Sequence, residues 1–598
     1  LPHFIAVVLF LLTSIIFCKP VLDGEVLNQH DNIGWKGMAQ NSFEYKEKNG
    51  HFPSWNPNLF GGMPNYQVAM DGKSILPDTT KLFSLGLPKP INFFFLASLC
   101  FYILCLVLGC RPVIGMLGAL AYAFSTYNAV IIEAGHDTQM LATAYMPLAL
   151  AGIIATYEKK YWLGLALTTL GAYQQISVNH LQVSYYFFLI AVIITIGYLA
   201  KWIKEKDWKH IGVAGAIVAG AALIGIAGNA MVLKTTSEYS KFTMRGGKDI
   251  EIAGDSVIAT ETKGLDTSYA FEYSLGKKEI ATLIMPNAFG GSSRKTSDED
   301  SKVVSKLTAK GVPESNALQI AQSLPAYWGE LYTSGPAYLG VLICVLGLIG
   351  FVITQSPLRW GLLAATLLGI FMAWGKHFAG FNVFLFENLP LYNKFRSPAF
   401  AQVIPQLTIG IMAVLSAQQL FFAKNSQDLL RANFKKILYA LGGLFGLLIL
   451  MYLLMDYSTS VDKQIIAAYT DKDGNTEYAR AIVAGLKQDR KQMFGGQLLR
   501  ALFFASIALG MIYLYMKSRI KPLAAVIILL AISTIELAFV SKKYLNDESY
   551  IPGDDYTNSN FAPSAIDQEI LKDKDPDFRV YNMAGTATGG TFSESRTS

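Results

Sequence analysis

The chain has 598 residues, of which 52% are hydrophobic and only 16% are charged, and its formal net charge is +6. Soluble domains carry roughly 25% charged residues, so this composition excludes an ordinary soluble protein. Long apolar runs alternate with short polar connectors, and runs of about 17–25 apolar residues cross a bilayer as helices. Because the runs are continuous rather than alternating, they predict helices and not the strands of a barrel.

The apolar runs predict about thirteen transmembrane helices. Fifteen Lys and Arg residues fall in the short connectors on one side of the membrane. On the other side, the connectors 133–138 and 178–182 contain none, and 376–397 contains three. Because short basic loops stay in the cytoplasm, the second side is predicted to face outwards. The predicted spans are 2–18, 91–109, 113–132, 139–156, 162–178, 183–200, 212–233, 336–354, 360–375, 398–423, 437–455, 498–516 and 523–541.

The predicted fold class is an all-α polytopic membrane protein with outer loop domains of mixed α/β structure. The three largest polar segments face outwards and no GxxxxGK[ST] motif occurs, which argues against an ATP-driven pump. The predicted units are a first helix clipped at its start (1–18), a first outer loop with an acidic motif (19–90), helices two to seven (91–233), a large outer loop domain (234–335), helices eight to thirteen (336–541) and the start of a truncated C-terminal outer domain (542–598).

The first outer loop opens with an acidic stretch that contains Asp23, Glu25, His30 and Asp31. A carboxylate this close to the membrane can deprotonate a hydroxyl, or hold a divalent cation against a phosphate. Asp31 also precedes a plausible interfacial helix that carries Trp35, so its alternative role is that of a helix N-cap. The residues alone leave both roles open.

The two short outer connectors carry His136, Asp137 and His180. Ionisable groups at the bilayer edge are costly in lipid and tend to face a cavity or a partner. We therefore expect these three side chains to meet Asp31 over one outward cavity, with ordinary loop polarity as the alternative. No HExxH motif occurs, which disfavours a zinc site made by the protein alone.

The remaining outer segments add further candidates. Arg396, at the entry to the tenth span, can bind a phosphate in bidentate fashion, or extend to lipid headgroups. In the large outer loop, Glu238 and Arg245 lie among aromatic residues. The Ser/Lys/Asp-rich stretch 292–316 is predicted to be a flexible loop. Apolar residues at helical spacing in 476–494 predict a helix lying on the outer surface.

Seven motifs occur in order along the chain: the acidic loop after the first helix, WNPNLFGGMP, EAGHDTQ, NHLQVSYY, an Arg-Gly-Gly segment, YWGELYTSGPAYLG and YNKFRSPA. Together they resemble the YfhO family of bacterial membrane proteins, in its Bacteroidetes-like form. The resemblance covers essentially the whole chain, and family members usually extend past the point where this chain stops.

The resemblance implies a GT-C-type glycosyltransferase in the bacterial cytoplasmic (inner) membrane. Its donor would be a polyprenyl-phosphate-linked sugar and its acceptor a cell-envelope glycopolymer or glycolipid on the outer face. The family pattern maps the catalytic acidic residues onto Asp31 and Asp137, and the residue near the donor phosphate onto Arg396. The side chains expected to bind substrate are His30, His136, His180, Glu238, Arg245 and Arg396.

The implied reaction is an inverting transfer in which Asp31 is the general base. The family often has a double acidic pair where this chain has His30 before a single Asp31, so a need for a divalent cation (Mg or Mn) stays open. Two other functions also stay open. A transporter or flippase of a lipid-linked glycan predicts two related halves, which the sequence does not show. A non-enzymatic envelope assembly factor would not need Asp31.

The predicted orientation places Lys160 and Asn287 on opposite sides of the membrane. Single cysteines at these positions, in a chain without its five native cysteines, are therefore expected to react differently with a membrane-impermeant maleimide. In intact cells with an opened outer membrane, only the cysteine at 287 should be labelled. Labelling of both positions from the same side would contradict the alternation of spans.

Overall fold

The structure is a computed structural model that describes residues 1–59, 61–69, 79–247, 250–253, 256–259, 263–573, 575 and 580. The last part of the predicted C-terminal outer domain, 581–598, and Phe60 of the WNPNLFGGMP motif lie outside the described residues.

Within the described residues, eight helices are long and apolar enough to cross a membrane, or nine if a bent pair counts as one span. Three shorter apolar helices add to these, Pro2–Phe17, Ile91–Val107 and Val341–Ile353. Each of the thirteen predicted spans overlaps a helix, although the number thirteen itself stays a prediction. The chain is thus an all-α polytopic membrane protein.

The first membrane helix leads into an outer segment of short helices and strands. Strands β2 and β3 pair with each other, whereas β1 pairs with a strand near the other end of the chain. The elements are α1 (Pro2–Phe17), β1 (Glu25–Leu27), α2 (His30–Met38), α3 (Gln40–Asn49), β2 (Trp55–Asn56), β3 (Met63–Pro64) and α4 (Thr80–Phe83).

The next eight helices supply the centre of the bundle and its lipid-facing side. They are α5 (Ile91–Val107), α6 (Pro112–Ala123), α7 (Thr126–Ala134), α8 (Asp137–Tyr157), α9 (Tyr161–Ser177), α10 (Leu181–Glu205), α11 (Trp208–Gly228) and α12 (Ala230–Ser240). The apolar parts of α6–α7 and α8 are almost wholly buried, whereas most of α10 and α11 is not. Small residues permit this close packing: a Cβ on Gly152 of α8 would lie 2.2 Å from the Thr168 nitrogen of α9.

The large outer segment contains more helix than expected. Its elements are β4 (Ile250–Ala253), β5 (Ser256–Ala259), α13 (Thr267–Ala270), α14 (Lys302–Thr308) and α15 (Glu314–Ser323). The prediction of a flexible loop over 292–316 is wrong, because Val303 and Leu307 are buried in a small apolar cluster with residues of α15 and of a later helix. Val303, Val304 and Leu307 thus anchor one short helix within an otherwise polar stretch.

The second half of the chain completes the bundle. Its elements are α16 (Val341–Ile353), α17 (Leu358–Ala373), α18 (Ala379–Asn388), α19 (Val403–Phe422), α20 (Ser426–Leu454), α21 (Val461–Ala468), α22 (Glu477–Met516), α23 (Pro522–Ser541), β6 (Tyr550–Pro552), α24 (Gly553–Phe561) and α25 (Ala565–Ile570). The predicted surface helix over 476–494 is not a separate element, because α22 runs without a break into the membrane span. The bent pair is α17 with 375–388, at an angle of 112°.

The outer segments are mainly helical in the described part of the chain. Strands occur there as three two-stranded antiparallel pairs, β1–β6, β2–β3 and β4–β5, so the expected mixed α/β loop domains are not seen. The β1–β6 pair, in register from Glu25–Pro552 to Leu27–Tyr550, ties the first outer loop to the segment after the last span.

A buried ion pair joins α21 to α22 above the membrane. Arg490 donates two hydrogen bonds to the Asp462 carboxylate, at 2.9 and 2.7 Å, and the two side chains are only 3% and 7% exposed. Arg490 also donates to the Tyr457 carbonyl at 2.8 Å. Removing one partner of such a pair leaves an uncompensated buried charge.

Asp462→Leu is therefore expected to lower the free energy of local unfolding by about 3–5 kcal/mol. The double variant Asp462→Leu/Arg490→Met removes both charges and should recover most of this loss. Backbone hydrogen exchange of 461–494 in the purified full chain measures both effects. Asp428→Leu, which breaks the exposed pair with Arg431, serves as the control, and an equal effect there would contradict the prediction.

Candidate functional site

One cavity of about 1550 Å³ opens where the predicted outer segments meet. Its walls come from the first outer loop, both short outer connectors, the large outer segment and the segment before α19. Six of the eight residues predicted from the sequence line it: His30, Asp31, His136, His180, Arg245 and Arg396. The other two, Asp137 and Glu238, lie outside its lining.

Asp31 lies in the first turn of α2 and is half exposed. The N-cap of this helix is Gln29, so the alternative role of Asp31 as N-cap is wrong. Its Oδ2 lies 2.9 Å from His136 Nε2, and its Oδ1 lies 3.5 Å from His30 Nδ1. The hydrogen bond with His136 holds the pKa of Asp31 below its usual value, and burial acts against it. The carboxylate is therefore ionised at neutral pH.

His136 reaches Asp31 because the connector before α8 packs directly on α2. Gly135 has a φ of +94°, which favours glycine. A Cβ there would lie 3.2 Å from the Asp31 Cβ and from the Asn32 nitrogen. The other ring nitrogen of His136, Nδ1, lies 3.1 Å from Gln139 Oε1. A contact on each side thus fixes the plane of the imidazole.

His180 lies next to the Asp31–His136 pair, across an aromatic ring. The Phe400 ring centroid is 5.9 Å from that of His136 and 6.1 Å from that of His180. Burial lowers the pKa of His180 to about 4, so the ring is neutral at physiological pH. Its Nδ1 accepts from the Val183 backbone N–H at 3.4 Å, which leaves the ring proton on Nε2.

Arg396 is held in the cavity wall by aromatic and polar contacts. Its guanidinium lies 4.5 Å from the Tyr269 ring centroid and 5.0 Å from that of Tyr273. It donates to the Tyr269 hydroxyl at 2.5 Å and lies 3.6 Å from Glu272. Gln182 donates to the Arg396 carbonyl at 2.7 Å, which connects this segment to the start of α10.

Arg245 brings a second guanidinium close to the first. It donates to the Lys394 carbonyl. Burial lowers its pKa, and the charge of Arg396 acts in the same direction. Two like charges held near each other are stabilised by an anion between them.

The two predicted residues outside the lining have other surroundings. Asp137 is the first residue of α8, and its Oδ2 lies 2.6 Å from Lys89 Nζ. Glu238 lies on an exposed face of α12. The expected convergence on Asp31 thus holds for His136 and His180 but not for Asp137, because successive residues at the start of a helix point in different directions.

Several ionisable lining residues were not predicted as site residues. The Tyr332 hydroxyl raises the pKa of Arg294, and the carboxylates of Glu133 and Asp31 act in the same direction. In total the lining holds five basic residues against three carboxylates, so the cavity attracts anions. The basic residues are Lys241, Arg245, Arg294, Lys394 and Arg396, and the carboxylates are Asp31, Glu133 and Glu279.

The donor set at Asp31 does not fit Mg²⁺ or Mn²⁺. These ions favour oxygen ligands, whereas the side chains beside the Asp31 carboxylate are the imidazoles of His136 and His30, at 2.9 and 3.5 Å. The described part of the chain contains no group of three or more His, Cys, Asp or Glu residues placed to hold a metal ion. The expected cation stays a prediction, and no catalytic step is assigned to it.

The comparisons with known proteins give little guidance. No protein-family model and no curated protein matches the sequence. Among solved structures, the chain is similar to the arabinofuranosyltransferase AftD from Mycobacteria, with 12% identity and a TM-score of 0.33. That likeness covers 83% of this chain but only 26% of the other, so the chain spans about a quarter of AftD. At this level the likeness decides neither fold nor function.

Proposed function

We propose that the chain is a membrane glycosyltransferase of GT-C type in the bacterial cytoplasmic membrane. It would transfer a sugar from a polyprenyl-phosphate-linked donor to a cell-envelope glycopolymer or glycolipid on the outer face. The observation that carries the proposal is the ionised Asp31, paired with His136, in the wall of a cavity that also holds Arg245 and Arg396. The motif resemblance supplies the reaction class.

The proposed reaction exchanges one bond for another at the anomeric carbon. The acceptor oxygen forms a bond to this carbon while the bond to the polyprenyl phosphate breaks, with inversion. The hydroxyl proton passes to Asp31. His136 donates to Asp31 Oδ2, so Oδ1, which lies 3.5 Å from His30 Nδ1, is the oxygen open to that proton.

The leaving phosphate needs positive charge that is already in place. Arg396 is fixed by Tyr269 and Tyr273, so its planar guanidinium is oriented before any ligand binds. Arg245 adds a second set of donors beside it. Preorganised donors of this kind stabilise developing charge at little reorganisation cost. His180, neutral with its proton on Nε2, can donate to the sugar or the phosphate.

Asp31→Asn is expected to lower transfer by about 10²–10⁴-fold, because an amide cannot accept the hydroxyl proton. The measurement is an analysis of cell-envelope glycans and lipids from cells that carry the variant at normal protein level. Lipid-linked sugar should accumulate on the outer leaflet.

Asp23→Asn is the matched control, since Asp23 is an exposed carboxylate of the same loop outside the cavity lining. Unchanged glycans in the Asp31 variant would overturn the proposal. Lipid-linked sugar trapped on the inner leaflet would indicate a flippase instead.

The acid limb of the pH profile is expected to move to higher pH in His136→Gln. In the wild type, the hydrogen bond with His136 lowers the pKa of Asp31, so the carboxylate stays ionised at a lower pH than an ordinary aspartate does. Without that bond, burial becomes the largest cause and acts to raise the pKa, while His30 acts against it, so the base is lost at a higher pH. The measurement is kcat/KM for release of polyprenyl phosphate from the lipid-linked sugar that accumulates in Asp31→Asn cells.

His30→Gln provides the comparison, because the His30 contact is longer and lowers the pKa less. Its acid limb should move less than that of His136→Gln. Equal profiles for wild type and His136→Gln would show that Asp31 is not the titrating base.

A further inference from the structure

We infer that Lys89 and Asp137 form a partly buried positioning pair that locks the connector carrying His136 onto the helix carrying Asp31. In this role Asp137 acts through other residues and does not touch the substrate. The expected effect on the rate rests on the proposed function, whereas the structural part of the inference does not.

The pair belongs to a hydrogen-bond network that joins the start of α2 to the start of α8. Lys89 Nζ donates to Asp137 Oδ2 at 2.6 Å and also to Gln29 Oε1. Asn32 Nδ2 donates to the same Asp137 oxygen at 3.2 Å and to Gln29 Oε1 at 2.7 Å. Both Gln29 and Asn32 are almost fully buried, at 2% and 6% exposure. One ammonium thus connects two side chains, Gln29 and Asp137, from distant parts of the sequence.

The same network also binds the backbone of the connector. Gln29 Nε2 donates to the Ile132 carbonyl, and Asn32 Nδ2 lies 3.4 Å from the Gly135 carbonyl. Gln29 and Asn32 flank Asp31 on α2, and Gly135 directly precedes His136. These hydrogen bonds therefore fix the chain segments on both sides of the Asp31–His136 contact.

Asp137 has the surroundings of a structural carboxylate rather than of a catalytic one. It lies outside the cavity lining, and its Oδ2 is shared by Lys89 and Asn32. Its Oδ1 is buried and has no hydrogen-bond partner among the described residues. Burial lowers the pKa of Lys89, and the charge of Asp137 opposes this effect. The charge of Lys89 thus depends on Asp137.

The test uses Lys89→Met, Asp137→Asn and the double variant in the full chain. Each single variant leaves one partly buried charge without its partner, and should lower kcat by about 10–100-fold with KM little changed. The double variant should lose no more than either single variant. Hydrogen exchange of 28–38 and 131–140 should rise together in both singles. The probe for kcat is the lipid-linked sugar from Asp31→Asn cells.

Lys159→Met is the matched control, because the Lys159–Asp207 pair has the same 2.6 Å separation at the basic end of the bundle. It should change neither exchange in these two segments nor kcat. Loss of kcat in Asp137→Asn with unchanged exchange would overturn the inference and make Asp137 a substrate contact. Increased exchange in the singles, with no transfer by the wild type, would support the positioning pair while refuting the proposed function.

Discussion

The contact between the Asp31 carboxylate and the His136 ring is the interaction on which the candidate site depends. It joins α2 to the connector before α8, two segments that are distant in sequence. Gly135 lets the two backbones approach, because a Cβ there would lie 3.2 Å from the Asp31 Cβ. Whatever holds this connector on α2 therefore also sets the geometry of the proposed proton transfer, and small displacements of catalytic groups cost large factors in rate.

The same contact keeps Asp31 ionised at neutral pH but makes it a weak base. A general base loses driving force as its pKa falls, so this arrangement suits a reaction in which the leaving group, more than the attacking hydroxyl, controls the barrier. Glycosyl transfer through an oxocarbenium-like transition state is of that kind. The cavity matches this demand, since its lining holds more basic residues than carboxylates. Arg396, fixed between aromatic rings, supplies charge that needs no rearrangement.

The sequence predicts the membrane helices well because a bilayer imposes a length and an apolar composition that a single run of residues reveals. It predicts that His136 and His180 line the cavity, because ionisable residues in short connectors at the bilayer edge tend to face a cavity or a partner. It fails where tertiary contacts decide: Val303 anchors a helix in a polar stretch, and Asp137 turns away from its neighbour His136 towards Lys89. Lys89 belongs to no motif, so only its contacts identify it.

The loop that carries Asp31 is held at more than one place. Strand β1 pairs with β6, and Asn28 donates a backbone hydrogen bond to Ser549 at 2.9 Å, just before α2 begins. Lys36, near the end of α2, lies 3.3 Å from the Tyr556 hydroxyl of α24. The segment after the last span thus contacts both ends of the helix that carries Asp31. The Lys89–Asp137 pair binds the same helix through Asn32. Asp31 is thus held at several points, and a loop held in this way can present its carboxylate in a fixed position before any ligand binds.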